Sequence, residues 1–241
     1  AKVLEVGPGL GSLTLALIRS GAHVTAVEID KRLASRLAQT LVEHGANPTS
    51  FEVILKDALQ LEEDEIPRDI HLVANLPYNV SVPVLLHLLS FGRIRSGVVM
   101  VQSEVAYRLA ASSSSKEYGV PSVKLNWYAD AEVRDRVSTK VFWPEPRVDS
   151  ALLAFQIHAP LGNEQERELT FEITDVAFNQ RRKMLRASLA DLIGRRLGTG
   201  KKNVEAFLKE IGIDPTLRAE ALDVKDYLAI ARHLLALERN R

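Results

Sequence analysis

The chain has 241 residues, 46% of them hydrophobic, and its 31 basic and 31 acidic side chains cancel to a formal net charge of zero. That length can bury a full core as one large domain with a small appendage, and no apolar run approaches the roughly 18 residues needed to cross a bilayer, so the reading is an ordinary soluble globular protein without membrane contact. Cysteine is absent, which excludes disulfides and thiolate metal sites and suits a reducing cytoplasm, and six scattered histidines predict no metal.

The first residues, Ala1 to Val6, already read as a buried strand, so the sequence is taken as trimmed ahead of Ala1. From residue 1 to about 157 β-rich runs alternate with helical patterns, the signature of an α/β fold with a mostly parallel sheet covered by helices. The predicted strands are VLEVG, HVTAVEI, FEVILK, IHLVAN, GVVMVQ, VRDRVST and SALLAFQI, and the helices fill 12–20, 31–44, 81–90, 103–111 and 119–128. The last two strands follow one another without a helix, which predicts an antiparallel hairpin at one sheet edge. Ser112 to Ser115 reads as a mobile loop. Ala159 to Asn163 reads as a linker, and beyond it apolar residues recur at helical spacing, punctuated by Gly198, Gly200, Gly212 and Pro215 into about four helices. The expected domains are 1–158 and 164–241.

Gly7-Pro8-Gly9-Leu10-Gly11 lies between the first strand and a helix, where glycines let the backbone turn tightly and approach a ligand. The same pattern serves a plain strand-to-helix turn or a nicotinamide loop, although the latter wants glycine where this chain has Ser12. Glu28 ends the second strand, where a carboxylate can accept both hydroxyls of a ribose or cap a helix. Asp57 ends the third and can accept an adenine amino group. Their order along the chain places all three at the carboxyl edge, where such sheets bind ligands.

The fourth strand ends in Asn75-Leu76-Pro77-Tyr78, the most specific signal in the chain. An adenine N6 lone pair is delocalised into the ring, so the nitrogen becomes a nucleophile only when its hydrogens are held out of plane. The Asn75 side-chain oxygen and the Leu76 carbonyl are two acceptors for that task, Pro77 fixes the turn that aims them, and Tyr78 can stack on an extruded base. Phe142, on the proline-rich loop Val141 to Asp149, offers a second stacking face or a plug for the core; Trp143 is unassigned. Residues 176–202 hold Arg181, Arg182, Lys183, Arg186, Arg195, Arg196, Lys201 and Lys202 against Asp191 alone, a local charge of about +7 that suits a phosphate polymer or a solvated helix face.

Taken in order, the glycine loop, Glu28, Asp57, Asn75 to Tyr78, Ser115-Lys116-Glu117-Tyr118-Gly119, the Phe142 to Asp149 loop and Ala177 to Lys183 resemble the ribosomal RNA adenine N6,N6-dimethyltransferases that act on small-subunit rRNA, over nearly the whole chain. The resemblance implies a Rossmann-like class I methyltransferase sheet with a helical C-terminal rRNA-binding domain. It implies S-adenosylmethionine held by Gly7, Gly9, Glu28, Asp57 and Asn75, and a target adenine held by Tyr78 and Phe142. It further implies two adjacent adenosines in a 3′-terminal hairpin of 16S rRNA as substrate and the immature small ribosomal subunit as partner. The basic run is expected to contact rRNA phosphates through Arg181, Arg182, Lys183 and Arg186, and a monomer is the default expectation. The cousins that methylate large-subunit rRNA and confer macrolide resistance usually carry isoleucine at the place of Leu76 and lack the Phe178 to Lys183 run. The family's N-terminal segment, with a glutamine-asparagine-phenylalanine-leucine motif, does not precede Ala1 here, and trimming or disorder is expected over natural loss. A non-catalytic RNA-binding factor on the same fold is the rival reading, opposed by the intact Asn75 to Tyr78 set.

Overall fold

Leu4 and Val6 are buried on one face of the first strand and Val3 and Glu5 on the other, so β1 (Lys2–Val6) is covered on both sides, as a central strand of a parallel sheet must be. The structure is a computed structural model, and it describes residues 1–142, 145–199 and 203–240. After β1 come α1 (Ser12–Arg19), β2 (His23–Glu28), α2 (Lys31–Glu43), β3 (Phe51–Leu55), β4 (Ile70–Asn75), α3 (Ser81–Ser90), β5 (Ile94–Gln102), α4 (Ser103–Leu109), α5 (Val120–Asn126), β6 (Ala129–Val137) and β7 (Ser150–Ile157). The chain divides into two units: Ala1–Ala110 with Ala129–His158, and Ala111–Tyr128 with Ala159–Arg241.

The first unit is built on one seven-stranded sheet in the order β3-β2-β1-β4-β5-β7-β6. β1 to β5 run parallel, while β7 pairs antiparallel with both β5 and β6. The antiparallel pair is as predicted, but the later strand sits inside and β6 takes the edge. β5 and β6 also begin earlier than their β-rich runs, at Ile94 and Ala129, because ladder pairing with Ile70 and Ile157 extends them past the point where local composition favours a strand. Asp30 caps α2, accepting from the Arg32 and Leu33 amides, and aims it back across β2, where Leu37 and Leu41 pack on Val3, Val24 and Ala26. Gly11 turns the chain into α1 at φ 88°, and a Cβ there would lie 2.7 Å from Leu37 Cδ1.

The second unit is helical: α5 joins α6 (Glu164–Asn179), α7 (Leu185–Ser188), α8 (Ala190–Arg196), α9 (Val204–Glu210) and α10 (Val224–Arg239) around a core that includes Tyr118, Trp127, Ile173, Leu185, Phe207, Tyr227 and Leu234. Asn163, the end of the expected linker, opens α6 with a reciprocal cap: its Oδ1 accepts from Glu166 N and its own N–H donates to Glu166 Oε2, each at 2.9 Å. The sequence keeps all of 1–158 together, whereas these contacts group Ala111–Tyr128 with the helices, because Tyr118, Val123 and Trp127 bury their side chains there. In the segment Ser112 to Ser115, Ser115 Oγ donates to Ser112 O at 2.7 Å and Ser114 N to Glu220 O at 2.7 Å. Among the described residues, no helix is long and apolar enough to cross a membrane.

Candidate active site

The parallel part of the sheet changes winding direction between β1 and β4, and adjacent carboxyl ends at such a point leave a crevice for ligands. A cleft of about 270 Å³ opens there, lined by Gly7, Glu28, Ile29, Asp57, Pro77 and Val80 among others. Gly7 and Pro77, far apart in sequence, meet in it because Val3 pairs with His71 and Leu4 with Leu72. Gly7, at φ 69°, faces the tetrapeptide: a Cβ there would lie 3.7 Å from Pro77 Cγ and 3.9 Å from the Asn75 carbonyl oxygen. A larger hollow of about 560 Å³, lined by Val73, Val98 and Phe155, contains none of the predicted site residues.

Glu28 is only 5% exposed, and both carboxylate oxygens are used: Oε2 accepts from Gly9 N at 3.2 Å and Oε1 from Asp30 N at 2.9 Å. It therefore ties the glycine loop to the end of β2, and each oxygen retains a second lone pair for an incoming hydroxyl. Asp57 accepts from Leu59 N through Oδ1 at 2.9 Å and caps a short 3₁₀ turn over Ala58–Gln60, which places a carboxylate on the cleft wall. Beside them stands a feature the sequence reading missed, Ile29, which is 67% exposed at the lip of the cleft. A large apolar side chain left in water next to a buried carboxylate offers a surface for a planar ring; its only sequence signal is an isoleucine one step past the strand's polar end.

Asn75 closes β4 with an exposed side chain whose carboxamide has no hydrogen-bond partner among the described residues. Leu76 is buried and donates its N–H to the Met100 carbonyl at 3.1 Å, which anchors the turn to β5. The Val80 amide reaches back to Pro77 O at 3.2 Å. Tyr78 is half-buried, and its hydroxyl meets the buried Ser150 Oγ at 2.6 Å, so the ring is held at the start of β7. Phe142, also half-buried, follows a 3₁₀ turn over Thr139–Val141 in the loop that leads to that strand. The loop base is closed by Thr139, which donates from N to Asp149 Oδ1 at 3.3 Å and from Oγ1 to Glu145 Oε1 at 2.6 Å. Among the described residues Tyr78 and Phe142 form no ring pair, and Trp143 and Pro144 lie outside the described residues.

A second residue that motif reading passed over is Glu5, two positions before the glycine loop. It is 1% exposed, its Oε2 has no hydrogen-bond partner among the described residues, and burial pushes its carboxyl up to about 7, with the facing Thr14 hydroxyl pulling the other way.

In the helical unit the basic run is not uniformly free. Arg181 pairs with Glu220 at 2.6 Å, Arg186 with Glu205 at 3.3 Å, and Arg196 with both Glu172 and Glu238. Arg182 and Lys183 are exposed and have no ion pair among the described residues, while Lys201 and Lys202 lie outside them. The local charge counted along the sequence is thus partly neutralised by acids distant in sequence.

A sheet in this order, with a glycine turn after β1, a buried acid after β2 and an open asparagine after β4, defines a Rossmann-like class I methyltransferase. The family model described as ribosomal RNA adenine dimethylase matches residues 1–235. The ribosomal RNA small subunit methyltransferases A of Kineococcus radiotolerans and Thermobifida fusca are 51% and 47% identical to the chain, each over 96% of it and over 76% and 79% of their own lengths. Among solved structures, a Plasmodium falciparum dimethyladenosine transferase has a TM-score of 0.77 at 22% identity, covering 95% of this chain and 88% of that one. The 23S rRNA methyltransferase ErmE has a TM-score of 0.66 at 28% identity, covering 97% and 90%. The chain belongs to the ribosomal RNA adenine dimethylase family, S-adenosylmethionine-dependent enzymes that methylate rRNA.

Proposed function

We propose that this chain dimethylates N6 of two adjacent adenosines in a 3′-terminal hairpin of 16S rRNA while the small ribosomal subunit matures, acting as a monomer. The observation that carries the site assignment is the open Asn75 carboxamide, held at the β4 terminus by a turn that packs on the glycine loop. The substrate follows the small-subunit relatives, at 47–51% identity, over ErmE at 28%.

The cleft fits the methyl donor: the Gly7 and Gly9 backbone leaves room for close approach, Glu28 keeps acceptors for two ribose hydroxyls, and Ile29 with Asp57 suits the face and edge of a purine. When bound, S-adenosylmethionine supplies an activated methyl on a sulfonium leaving group. In the first transfer Asn75 Oδ1 and the Leu76 carbonyl accept the two amino hydrogens of the target adenine, and in the second the one that remains, drawing the N6 lone pair out of ring conjugation; as each N–C bond forms, the methyl–sulfur bond of the donor would break and the displaced N6 proton would pass to water. Tyr78 and Phe142 hold the flipped base by stacking. The chain therefore acts by positioning and by fixed dipoles, with no strong base and no covalent intermediate on a side chain. Residues 1–158 carry this chemistry, and the basic run of 164–241, with Arg181, Arg182, Lys183 and Arg186, faces rRNA phosphates.

The test is incubation with labelled S-adenosylmethionine and immature small subunits, followed by mapping of dimethyladenosine. Label in the 3′-terminal hairpin is expected, and Asn75→Ala abolishes it with an unchanged melting curve, since an exposed side chain without a partner among the described residues is removed. Near-normal methylation by that variant refutes the site; label confined to large-subunit rRNA refutes the substrate.

A further inference from the structure

Two stretches of the helical unit, 112–119 and 178–183, are joined at two levels. In the core, Tyr118 and Phe178 pack with ring centroids 6.1 Å apart, and Phe178 leans on Tyr227 at 6.4 Å. At the surface, Arg181 donates through Nη2 to the Lys116 carbonyl at 3.2 Å and through Nε to Glu220 Oε2 at 2.6 Å. The Glu220 backbone carbonyl accepts from Ser114 N at 2.7 Å, and Ser114 sits at φ 67°, a conformation that a serine holds only when its surroundings impose it. Arg181 and Glu220 thus form a clasp that fixes the backbone under Lys116. Lys116 is exposed, and its backbone carbonyl is bonded to Arg181, the residue immediately before Arg182 and Lys183, which are exposed and have no ion pair among the described residues.

We infer that Lys116 is a phosphate contact of the rRNA-binding surface, and that Arg181 is a positioning residue which, with Glu220, holds Lys116 beside Arg182 and Lys183. This rests on the reading that the basic run faces rRNA, and it divides that run by role. Arg181 already spends its guanidinium on a carboxylate and a carbonyl, so its charge is locally cancelled, whereas Lys116, Arg182 and Lys183 have no ion pair among the described residues. Removing the negative charge of Glu220 from this surface therefore weakens RNA binding.

Binding of the full chain to unmethylated small subunits is measured between 50 and 200 mM salt, with melting curves as the fold control. Lys116→Ala is expected to weaken binding about five- to tenfold near 0.1 M salt and to lower the salt slope by about 0.9, the signature of one phosphate contact. Lys116→Arg keeps both values. Glu220→Gln weakens binding, and Lys116→Ala adds nothing further in that background. Tighter binding by Glu220→Gln overturns the clasp, because Arg181 would then be a phosphate contact that Glu220 masks. Unchanged affinity and slope for Lys116→Ala, with Arg182→Glu/Lys183→Glu still weakened, overturn the role of Lys116 alone. If Arg182→Glu/Lys183→Glu also binds normally, the reading that this surface faces rRNA fails and the inference with it.

Discussion

The Tyr78 hydroxyl and the Ser150 Oγ meet at 2.6 Å across 72 residues of sequence, joining the turn after β4 to the first residue of β7. Ser150 is fully buried, so this bond sets the ring of Tyr78 from a fixed point in the sheet. Tyr78→Phe keeps the stacking face and leaves the serine hydroxyl without its partner. It should cost about 1–2 kcal/mol in thermal unfolding and retain most methyl transfer. Tyr78→Ala removes the face and should lower single-turnover methylation by about one to two orders of magnitude, at roughly 1–3 kcal/mol per stacked base. Equal activity of the two variants would show that Tyr78 does not stack on the substrate.

Glu28 both shapes the glycine loop and faces the cleft, so its loss acts twice. Glu28→Ala deletes acceptors for Gly9 N and Asp30 N as well as for a ribose. Hydrogen bonds to a charged group contribute about 1.5–3 kcal/mol each, so calorimetric affinity for S-adenosylmethionine should fall by at least about a hundredfold. Asp57→Ala, which loses one cap to Leu59 N, should show the smaller loss of the two in both affinity and melting temperature. The reverse order would move the ribose anchor from β2 to β3.

Glu5 predicts an unusual pH dependence. Its folded pKa is raised to about 7 from an ordinary 4.5, so the native state holds a proton that the unfolded chain releases. The favourable contribution is full below about pH 4.5, declines as pH rises, and is gone above about 7, a swing on the order of 3 kcal/mol. Glu5→Gln should match the parent chain in urea melts near pH 5 and exceed it near pH 8. A stability difference that is the same at both pH values rules out titration of this carboxyl.

Periodicity and composition were enough to place all seven strands and the helices between them, with the glycine-loop and Asn75 to Tyr78 motifs at strand ends, because side-chain alternation and glycine turns are local properties of the chain. The resemblance carried by those motifs is also the family that the relatives share. Packing decided the remainder. That β7 lies inside β6, and that Ala111–Tyr128 joins the helices, follow from which apolar faces can be buried together. That Glu5 is a buried acid, that Ile29 stands open at the cleft, and that Arg181 and Arg186 are paired while Arg182 and Lys183 have no ion pair among the described residues depend on neighbours far away in sequence. A charge counted along a chain gives no sign of the carboxylate that folding sets beside it: Glu220 lies 39 positions from Arg181, and only the close approach of α6 to the turn before α10 brings them within 2.6 Å.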